Sequence, residues 1–98
     1  MSRIEFAPQV IEDFDRVVDH VFGHQADDAQ ARIQDIVSAV DVLERSPHIG
    51  RPTEGGKREL VIGRSSRGYV ALYRYVVELD TVFVLALRSQ REAGYARP

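Results

Sequence analysis

The residue types best suited to chemistry lie in the second half of this chain. Residues 51–98 hold nine Lys and Arg against five Asp and Glu, whereas residues 1–50 hold four Arg, no Lys and ten acidic residues. The overall charge of −2 therefore divides into −6 at the front and +4 at the back. This asymmetry predicts that the back half binds an anionic or macromolecular partner.

Arginines and tyrosines occur together in the basic half and could bind RNA, with guanidinium groups on phosphates and aromatic rings on bases. Arg88 and Arg91 follow the last apolar segment, where functional groups often project, and Tyr95 lies just behind them. The alternatives are a solvated tail for these arginines, and tyrosines that only cover a sheet. The other basic residues and tyrosines of this half are Arg51, Lys57, Arg58, Arg64, Arg67, Arg74, Arg97, Tyr69, Tyr73 and Tyr75.

Three further patterns carry little chemistry. His20 and His24 are four residues apart and could share a metal ligand site on one helix, but the chain has no cysteine and no evident third ligand. Two exposed histidines are therefore the favoured interpretation. Residues 55–57, Gly-Gly-Lys, lack the rest of a phosphate-binding loop, and Ser65-Ser66 lacks the context of a nucleophile elbow. We interpret both segments as structural.

Two amphipathic helices are predicted in the acidic half. The first begins at Ala7-Pro8, because proline fits a first helical turn, and ends at Gly23. The second begins at a cap in Asp27-Asp28 and stops at Ser46-Pro47. Their short connection predicts an antiparallel helical hairpin. The apolar residues at helical spacing are Val10, Ile11, Phe14, Val17, Val18, Val21 and Phe22, then Ala29, Ile33, Ile36, Val37, Val40 and Leu43.

Strands are predicted before the first helix and through most of the basic half, where β-branched and aromatic side chains alternate between turn residues. Residues 47–56 are rich in Gly and Pro and predict a loop. The segment from Arg88 to Pro98 turns polar, and we expect a poorly ordered tail there. The predicted strands are residues 4–6, 58–62, 69–77 and 81–87.

The element order β-α-α-β-β-β predicts an α+β fold, with an N-terminal helical hairpin packed on a small, mostly antiparallel sheet. The strand at 81–87 is apolar except at Thr81, so we expect burial on both faces. In the strand at 69–77, alternation places three tyrosines on one face and Arg74 among aliphatic residues on the other. We assign the Arg74 face to the helices, with Arg74 paired to a helix acid, and the tyrosines to the outer face.

Length and composition restrict the class of protein. A chain of 98 residues predicts a single domain over residues 1–98. The absence of cysteine excludes disulfides and thiolate chemistry. The N-terminus lacks the apolar core of a signal peptide, and no apolar run approaches the roughly 18 residues of a membrane helix. We therefore expect a soluble, cytoplasmic protein that uses no cofactor.

Five segments follow one another along nearly the whole chain: Phe6–Val10, Ser46–Pro52, Arg58–Arg64, Tyr69–Arg74 and Val84–Glu92. In order, spacing and total length, they resemble toxins of the RelE/ParE superfamily from bacterial toxin–antitoxin modules. The resemblance rests on the set of segments, not on one decisive motif. It implies a helical hairpin against a small antiparallel sheet, in agreement with the fold predicted from periodicity.

The resemblance implies one of two activities. RelE-like members are ribosome-dependent mRNA endonucleases that use basic residues and a tyrosine without a metal. ParE-like members lack that set and poison DNA gyrase through a protein–protein contact. By resemblance, Arg91 matches the endonuclease arginine after the last strand, and Tyr95 falls near the terminal tyrosine, at a shorter spacing. Lys57 and Arg58 could supply the basic groups near the second strand.

Val70 departs from the endonuclease pattern, in which an arginine directly follows the tyrosine of this strand. Arg67 could compensate from the preceding loop. Because losing one phosphate-neutralising cation from a metal-free site costs on the order of 10²–10³ in rate, we favour the ParE-like branch. The target- or antitoxin-binding residues expected on that branch are Arg58, Arg64, Arg67, Tyr73, Arg88 and Arg91.

Three hypotheses follow from the resemblance. The first is a toxin that poisons DNA gyrase and is held silent by a cognate antitoxin encoded beside it. The second is a ribosome-dependent mRNA endonuclease, and the third is an inactive protein of the same fold that only binds its antitoxin. An acidic, amphipathic, partly disordered antitoxin segment could fold on the basic half. DNA binding by this chain alone is not expected, because its front half is strongly acidic.

Overall fold

Two helices and five strands follow one another as β-α-α-β-β-β-β in a computed structural model that describes residues 1–24, 29–63, 68–92, 94 and 95. The element boundaries are as follows. The helices are α1 (Pro8–His24) and α2 (Ala29–Asp41), which a 3-10 turn (Val42–Glu44) extends. The strands are β1 (Arg3–Phe6), β2 (Arg51–Pro52), β3 (Arg58–Ile62), β4 (Tyr69–Val76) and β5 (Thr81–Ser89).

The strands form one mixed sheet in the order β1-β5-β4-β3-β2. Neighbours from β5 to β2 are antiparallel, whereas β1 pairs parallel with β5, with Arg3 opposite Thr81 and Phe6 opposite Val84. Both helices pack on one face, which we call the inner face; the opposite side is the outer face. The predicted α+β fold, a helical hairpin on a mostly antiparallel sheet, is confirmed.

β2 is missing from the prediction, which treated residues 47–56 as a loop. Its two residues pair with β3, Arg51 opposite Glu59 and Pro52 opposite Arg58. Two residues are too few to show a period of two, and proline is tolerated because β2 lies at the edge of the sheet. Helix α2 also ends at Asp41, earlier than its predicted stop. The predicted cap at Asp27-Asp28 lies outside the described residues.

The helices pack on the tyrosine face of β4, so the predicted assignment of its two faces is wrong. Tyr69, Ala71 and Tyr73 are buried among side chains of α1 and α2. Arg74 is therefore on the outer face, half-buried, and none of the ion pairs among described residues joins it to a helix acid. Alternation separates two sets of side chains, but it does not say which set meets the helices.

The Tyr73 hydroxyl anchors the loop between α2 and β2. It donates to the Pro47 carbonyl at 2.8 Å and accepts from the Gly50 N–H at 2.9 Å. Arg58 donates to the Gly50 carbonyl at 2.7 Å. A Cβ at position 50 would lie 2.7 Å from the Tyr73 ring, so this approach of loop to ring requires glycine. The large aromatic side chain thus fills the core while its polar end is satisfied by backbone.

A bulge in β5 keeps its apolar side chains on the inner face. Val84 lies opposite Tyr73 and Leu87 opposite Ala71, and the register shifts between these two pairs, which leaves Leu85 as the extra residue. Val84 and Leu87 both join the core below the helices. The predicted burial of this strand on both faces holds over most of its length; Phe83 and Leu85 are only half-buried.

Helix α1 completes the edge of β5 beyond the point where β1 ends. Asp13 accepts from the Leu87 N–H at 3.1 Å, and Arg16 donates to the Leu87 carbonyl at 3.1 Å. Asp13 is 1% exposed and pairs with Arg16 at 3.1 Å. Two side chains of one helix therefore satisfy both backbone groups of Leu87, as a neighbouring strand would.

Within the described residues, neither helix combines the length and the apolar character that crossing a bilayer requires.

Candidate functional site

A polar cluster on the outer face joins β2, β3, β5 and the C-terminal segment. We call Arg51, Glu59, Arg88 and Tyr95 the outer-face cluster. The Tyr95 hydroxyl donates to Glu59 at 2.6 Å, and Arg51 Nε donates to the second oxygen of the same carboxylate at 3.2 Å. The Arg88 guanidinium lies over the Tyr95 ring, with Cζ 5.0 Å from the ring centroid, a cation–π geometry.

Strand alternation brings these side chains to the outer face. In β3, Leu60 and Ile62 pack toward the helices. Because side chains alternate along a strand, Glu59 points away from the helices. In β5, Arg88 lies opposite Val70, whose neighbours along β4 are inner-face residues. The register of β2 and β3 then sets the arginine of β2 opposite Glu59. The cluster therefore depends on four separate segments in register.

A turn after β5 carries Tyr95 back over the sheet. Glu92 accepts from the Ser89 N–H at 2.7 Å and pairs with Arg16 of α1 at 3.0 Å. Arg88 donates to the carbonyls of Ser89 and Glu92 at 3.2 and 3.4 Å. These contacts involve residues that the sequence placed in a poorly ordered tail, and they tie the start of that segment to α1.

Opposing pKa shifts set the charge state of the cluster. The hydrogen bond from Tyr95 is the largest cause that holds the pKa of Glu59 below its usual range; partial burial opposes it, and the hydrogen bond from Arg51 adds to the lowering. Burial, followed by the bond to the Glu59 carboxylate, raises the pKa of Tyr95 well above that of a free phenol. At neutral pH Glu59 is ionised and Tyr95 is protonated. The pair is therefore not tuned for proton transfer near pH 7.

Two predicted binding residues, Tyr73 and Arg58, hold the loop before β2 in place and do not form a binding surface. Tyr73 is 0% exposed, so it cannot contact a partner of the folded protein, and this corrects its predicted place on the outer face. Arg58 shares the inner side of β3 with Leu60 and donates to the carbonyls of Gly50 and His48, at 2.7 and 3.1 Å. Both side chains hold the loop before β2 in place.

The other predicted site residues are dispersed. Lys57 is half-buried just before β3, and Arg91 is exposed in the turn after β5. The structure brings Arg88 and Tyr95 into contact on the outer face, and it places Arg58 opposite Tyr73 in the β3–β4 pair. Arg64 and Arg67 lie outside the described residues.

Glu59 links the cluster, and the sequence analysis missed it. The available signal was a single acidic side chain within the strand Arg-Glu-Leu-Val-Ile. Its partner Tyr95 is 36 residues away, so no local periodicity connects them. The sequence shows a carboxylate within this strand, but it does not show the phenol that bonds to it.

The described residues contain no group of three or more His, Cys, Asp or Glu side chains placed to hold a metal ion. His20 is exposed on α1, and the His24 side chain lies outside the described part.

An apolar groove between α1 and α2 is the second surface feature. Its volume is about 290 Å³, and its floor is the inner face of β4 and β5. Phe6, Ile11 and Val37 line it and are 56%, 63% and 42% exposed. Asp15 and Asp41 are the acidic residues in its lining. The groove thus offers apolar side chains with negative charge beside them, and we call it the interhelical groove.

The sequence matches a family described as the ParE toxin of the type II toxin–antitoxin system parDE over residues 4–94. The matched range contains both helices, nearly all of the sheet and every member of the outer-face cluster except Tyr95. A comparison with curated proteins finds no significant match.

Solved toxin structures share the fold. The chromosomal ParDE toxin–antitoxin system from P. aeruginosa is 25% identical, with 91% of this chain and 96% of that chain covered and a TM-score of 0.74. The intact E. coli RelBE toxin–antitoxin complex is 15% identical, with 91% and 96% covered and a TM-score of 0.65. The isolated E. coli RelE toxin is 14% identical, with 95% and 88% covered and a TM-score of 0.66. The last two resemblances concern the fold alone.

Proposed function

Because the chain belongs to the ParE toxin family of type II toxin–antitoxin systems, we propose that it arrests bacterial growth by binding and poisoning DNA gyrase. We further propose that a cognate antitoxin, encoded beside it, neutralises it. The observation that carries the choice of gyrase over mRNA is the state of Tyr95. Its hydroxyl is engaged by the Glu59 carboxylate at 2.6 Å, so it is not free to serve a reacting ribose or phosphate.

The surroundings of Tyr95 support the same proposal. Metal-free RNA cleavage needs an activated 2′-hydroxyl and cations around the phosphate. Val70, which lies beside Arg88 in the sheet, is 0% exposed and offers no charge where an arginine would face the phosphate. Arg58 is committed to loop carbonyls on the other side of the sheet. Arg51 is bonded to Glu59 and Arg88 to backbone carbonyls, so the cations nearest Tyr95 are already engaged.

The endonuclease remains the second candidate because of one contact. Arg88 stacks on Tyr95, which places one cation and one phenol together on an accessible face of the sheet. That pair is part of what RNA cleavage requires. The ionised Glu59 between this pair and Arg51 opposes the approach of a phosphate, which is why we rank the endonuclease below gyrase poisoning.

Purified components separate the two activities. The chain is mixed with DNA gyrase, supercoiled plasmid and ATP, and trapped cleavage complexes are counted as linear DNA. In parallel it is added to a reconstituted translation reaction, and the mRNA is mapped for new 5′ ends. We expect linear DNA and intact mRNA. Cut mRNA together with unaffected gyrase would reverse the assignment, and inactivity in both assays would favour a protein that only binds its antitoxin.

Arg91 gives the first surface variant to test on gyrase. It is exposed and has no hydrogen bond or ion pair among the described residues, so Arg91→Ala should leave the fold unchanged. If Arg91 contacts gyrase, this variant should trap about tenfold less linear DNA, the loss expected of a contact arginine. Arg45→Ala, which removes an exposed arginine after the 3-10 turn, is the matched control and should behave as wild type.

The interhelical groove is the surface we propose for the antitoxin. Exposed Phe6, Ile11 and Val37 favour an amphipathic segment that buries its apolar side chains there. Asp15 and Asp41 favour Lys or Arg beside those apolar positions. Both acidic residues of the lining come from the acidic half of the chain, so a segment bound in the groove would differ in charge from an acidic antitoxin segment on the basic half.

Two valines test the groove. Val37→Asp places a carboxylate within it and should abolish co-purification with the neighbouring antitoxin. Val42→Asp changes a valine of similar exposure, 44% against 42%, that does not line the groove, and should leave the complex intact. Loss of the complex in both variants, or in neither, would exclude the groove as the docking site. Thermal unfolding of the free variants checks that each one folds.

A further inference from the structure

Cations surround Glu59 on the outer face. Arg51 lies directly opposite it in the β2–β3 pair and bonds to it. In β4, Leu72 lies opposite Glu59, and Arg74 is the next residue along on the same face, which makes it a diagonal neighbour. Arg88 adds a third guanidinium, stacked on the ring whose hydroxyl binds Glu59. Arg51 and Arg88 therefore lie close to one carboxylate, and the strand register places Arg74 diagonal to it.

The Glu59 carboxylate is held as a bound anion would be. Its side chain is 15% exposed, one oxygen accepts from a phenol, and the other accepts from a guanidinium. Phenol and guanidinium groups are also donors that bind phosphate oxygens, and the Tyr95 ring beside them could stack on a base. The outer face thus carries hydrogen-bond donors of the kind that bind nucleotides, and the Glu59 carboxylate already accepts from two of them.

We propose that the outer face of the sheet is a latent phosphate-binding surface for single-stranded RNA, which Glu59 keeps closed by occupying the position of an incoming phosphate. Replacing the carboxylate by a neutral group frees Arg51 and Tyr95 and removes the repulsion that a phosphate meets. Glu59 is then a specificity residue that excludes RNA from the toxin. This inference concerns affinity for RNA and does not depend on which cellular target the toxin has.

Glu59→Gln tests the inference with the least change of shape. The glutamine removes the charge and keeps one acceptor oxygen, so only one of Tyr95 and Arg51 retains a carbonyl partner. Binding is measured by fluorescence anisotropy with a labelled oligouridine of about ten nucleotides, a length suited to one small site. At low salt we expect Glu59→Gln to bind about tenfold more tightly than wild type, because one repulsive charge at the phosphate is lost.

Glu5→Gln is the matched control. Glu5 is an exposed strand residue at the other edge of the sheet, ion-paired with Arg3, and its replacement makes the same change in net charge. Its RNA affinity should stay within about twofold of wild type, since screening limits distant charges. Equal gains for Glu5→Gln and Glu59→Gln would overturn the proposal, because net charge alone would then explain them.

Two further variants keep the result decisive. Glu59→Thr provides a neutral, strand-forming replacement should the glutamine variant unfold on heating. Adding Arg88→Gln to Glu59→Gln should return the affinity to the wild-type level. If neither Glu59 variant gains affinity for RNA, the proposal is overturned. It is also overturned if an acidic peptide binds Glu59→Gln as tightly as the RNA does. The gyrase assay on the wild-type chain is scored separately, so failure of one proposal is distinct from failure of the other.

Discussion

The two faces of the sheet each hold a tyrosine whose hydroxyl is bonded, but the partners differ in kind. On the inner face, Tyr73 bonds to backbone groups of Pro47 and Gly50. On the outer face, Tyr95 bonds to the charged side chain of Glu59 and stacks under Arg88. The first tyrosine bonds to neutral backbone groups of a loop, whereas the second belongs to a cluster of charged side chains near solvent.

The two faces contribute differently to stability and to binding. A neutral polar group buried with backbone partners stabilises the fold, because breaking one of its bonds leaves a buried group unpaired. A charged cluster near solvent contributes little stability, because water and salt replace lost interactions, yet it controls which ligands approach. We therefore expect inner-face substitutions to change the free energy of unfolding and outer-face substitutions to change binding.

The largest effect is expected where the inner-face loop approaches Tyr73. In Gly50→Ala the new Cβ would lie 2.7 Å from the Tyr73 ring and 2.8 Å from the Glu59 carbonyl, so loop or ring must move. The free energy of unfolding should fall by about 3 kcal/mol, as for an overpacked core. Urea denaturation measures it. Gly23→Ala, where a Cβ meets no atom within 4 Å, should cause no loss; similar losses in both would refute the steric argument.

The next effect concerns the bond between α1 and β5. Asp13→Ala leaves the Leu87 N–H without its acceptor and removes a partner of Arg16. Unfolding should become easier by roughly 2–3 kcal/mol, the cost of a buried unpaired group. Asp19→Ala, at an exposed acid of the same helix, should change stability by no more than about 0.5 kcal/mol. Equal thermal unfolding of the two variants would show that Asp13 has no special role.

The direct test of the comparison deletes one hydroxyl on each face. Tyr73→Phe leaves the Gly50 N–H and the Pro47 carbonyl unpaired in the core and should cost about 2 kcal/mol. Tyr95→Phe leaves Glu59 paired with Arg51 and closer to solvent, and should cost less than about 1 kcal/mol. Both are measured by denaturant unfolding at pH 7. A larger loss for Tyr95→Phe would invert the proposed roles of the two faces.

The smallest effect is the pH dependence of the outer-face cluster. The folded-state pKa of Glu59 is depressed, first by the Tyr95 hydrogen bond, so its ionised form stabilises the fold above the unfolded pKa of about 4.3. That contribution is lost as the pH falls through the lower folded-state value. Glu59→Gln should therefore be less stable than wild type at pH 7, and the difference should shrink as the pH falls below the unfolded pKa of Glu59. Glu54→Gln, at an exposed acid, should follow the wild-type curve; a pH-independent difference for Glu59→Gln would contradict this assignment.

Most of the fold could be predicted because its signals are local. The apolar stripe of α1 repeats at helical spacing over the whole element, and the observed helix begins at Pro8 as expected. β3, β4 and β5 are rich in β-branched and aromatic residues and lie where predicted, to within two residues. β2 could not be predicted, because its two residues form a strand through pairing with β3 and have no sequence pattern of their own.

The candidate site could be predicted only in part. Arg88 and Tyr95 were named from the chain, but Tyr73 was assigned to the wrong face and Glu59 was not considered. Both sets of side chains in β4 are apolar enough to be buried, so alternation alone could not choose between them. Glu59 and Tyr95 meet across 36 residues through strand register and a C-terminal turn.

Both helices, four of the five strands, their order and the division into an acidic and a basic half follow from the sequence, because propensity, periodicity and charge are properties of neighbouring residues. The tertiary structure is needed to show which face of the sheet the helices cover and that the Tyr95 hydroxyl bonds to a carboxylate. Those outcomes depend on groups far apart in the chain, such as Asp13 and Leu87, which are 74 residues apart. Their contacts form only when the whole sheet is assembled, since no local pattern contains both partners.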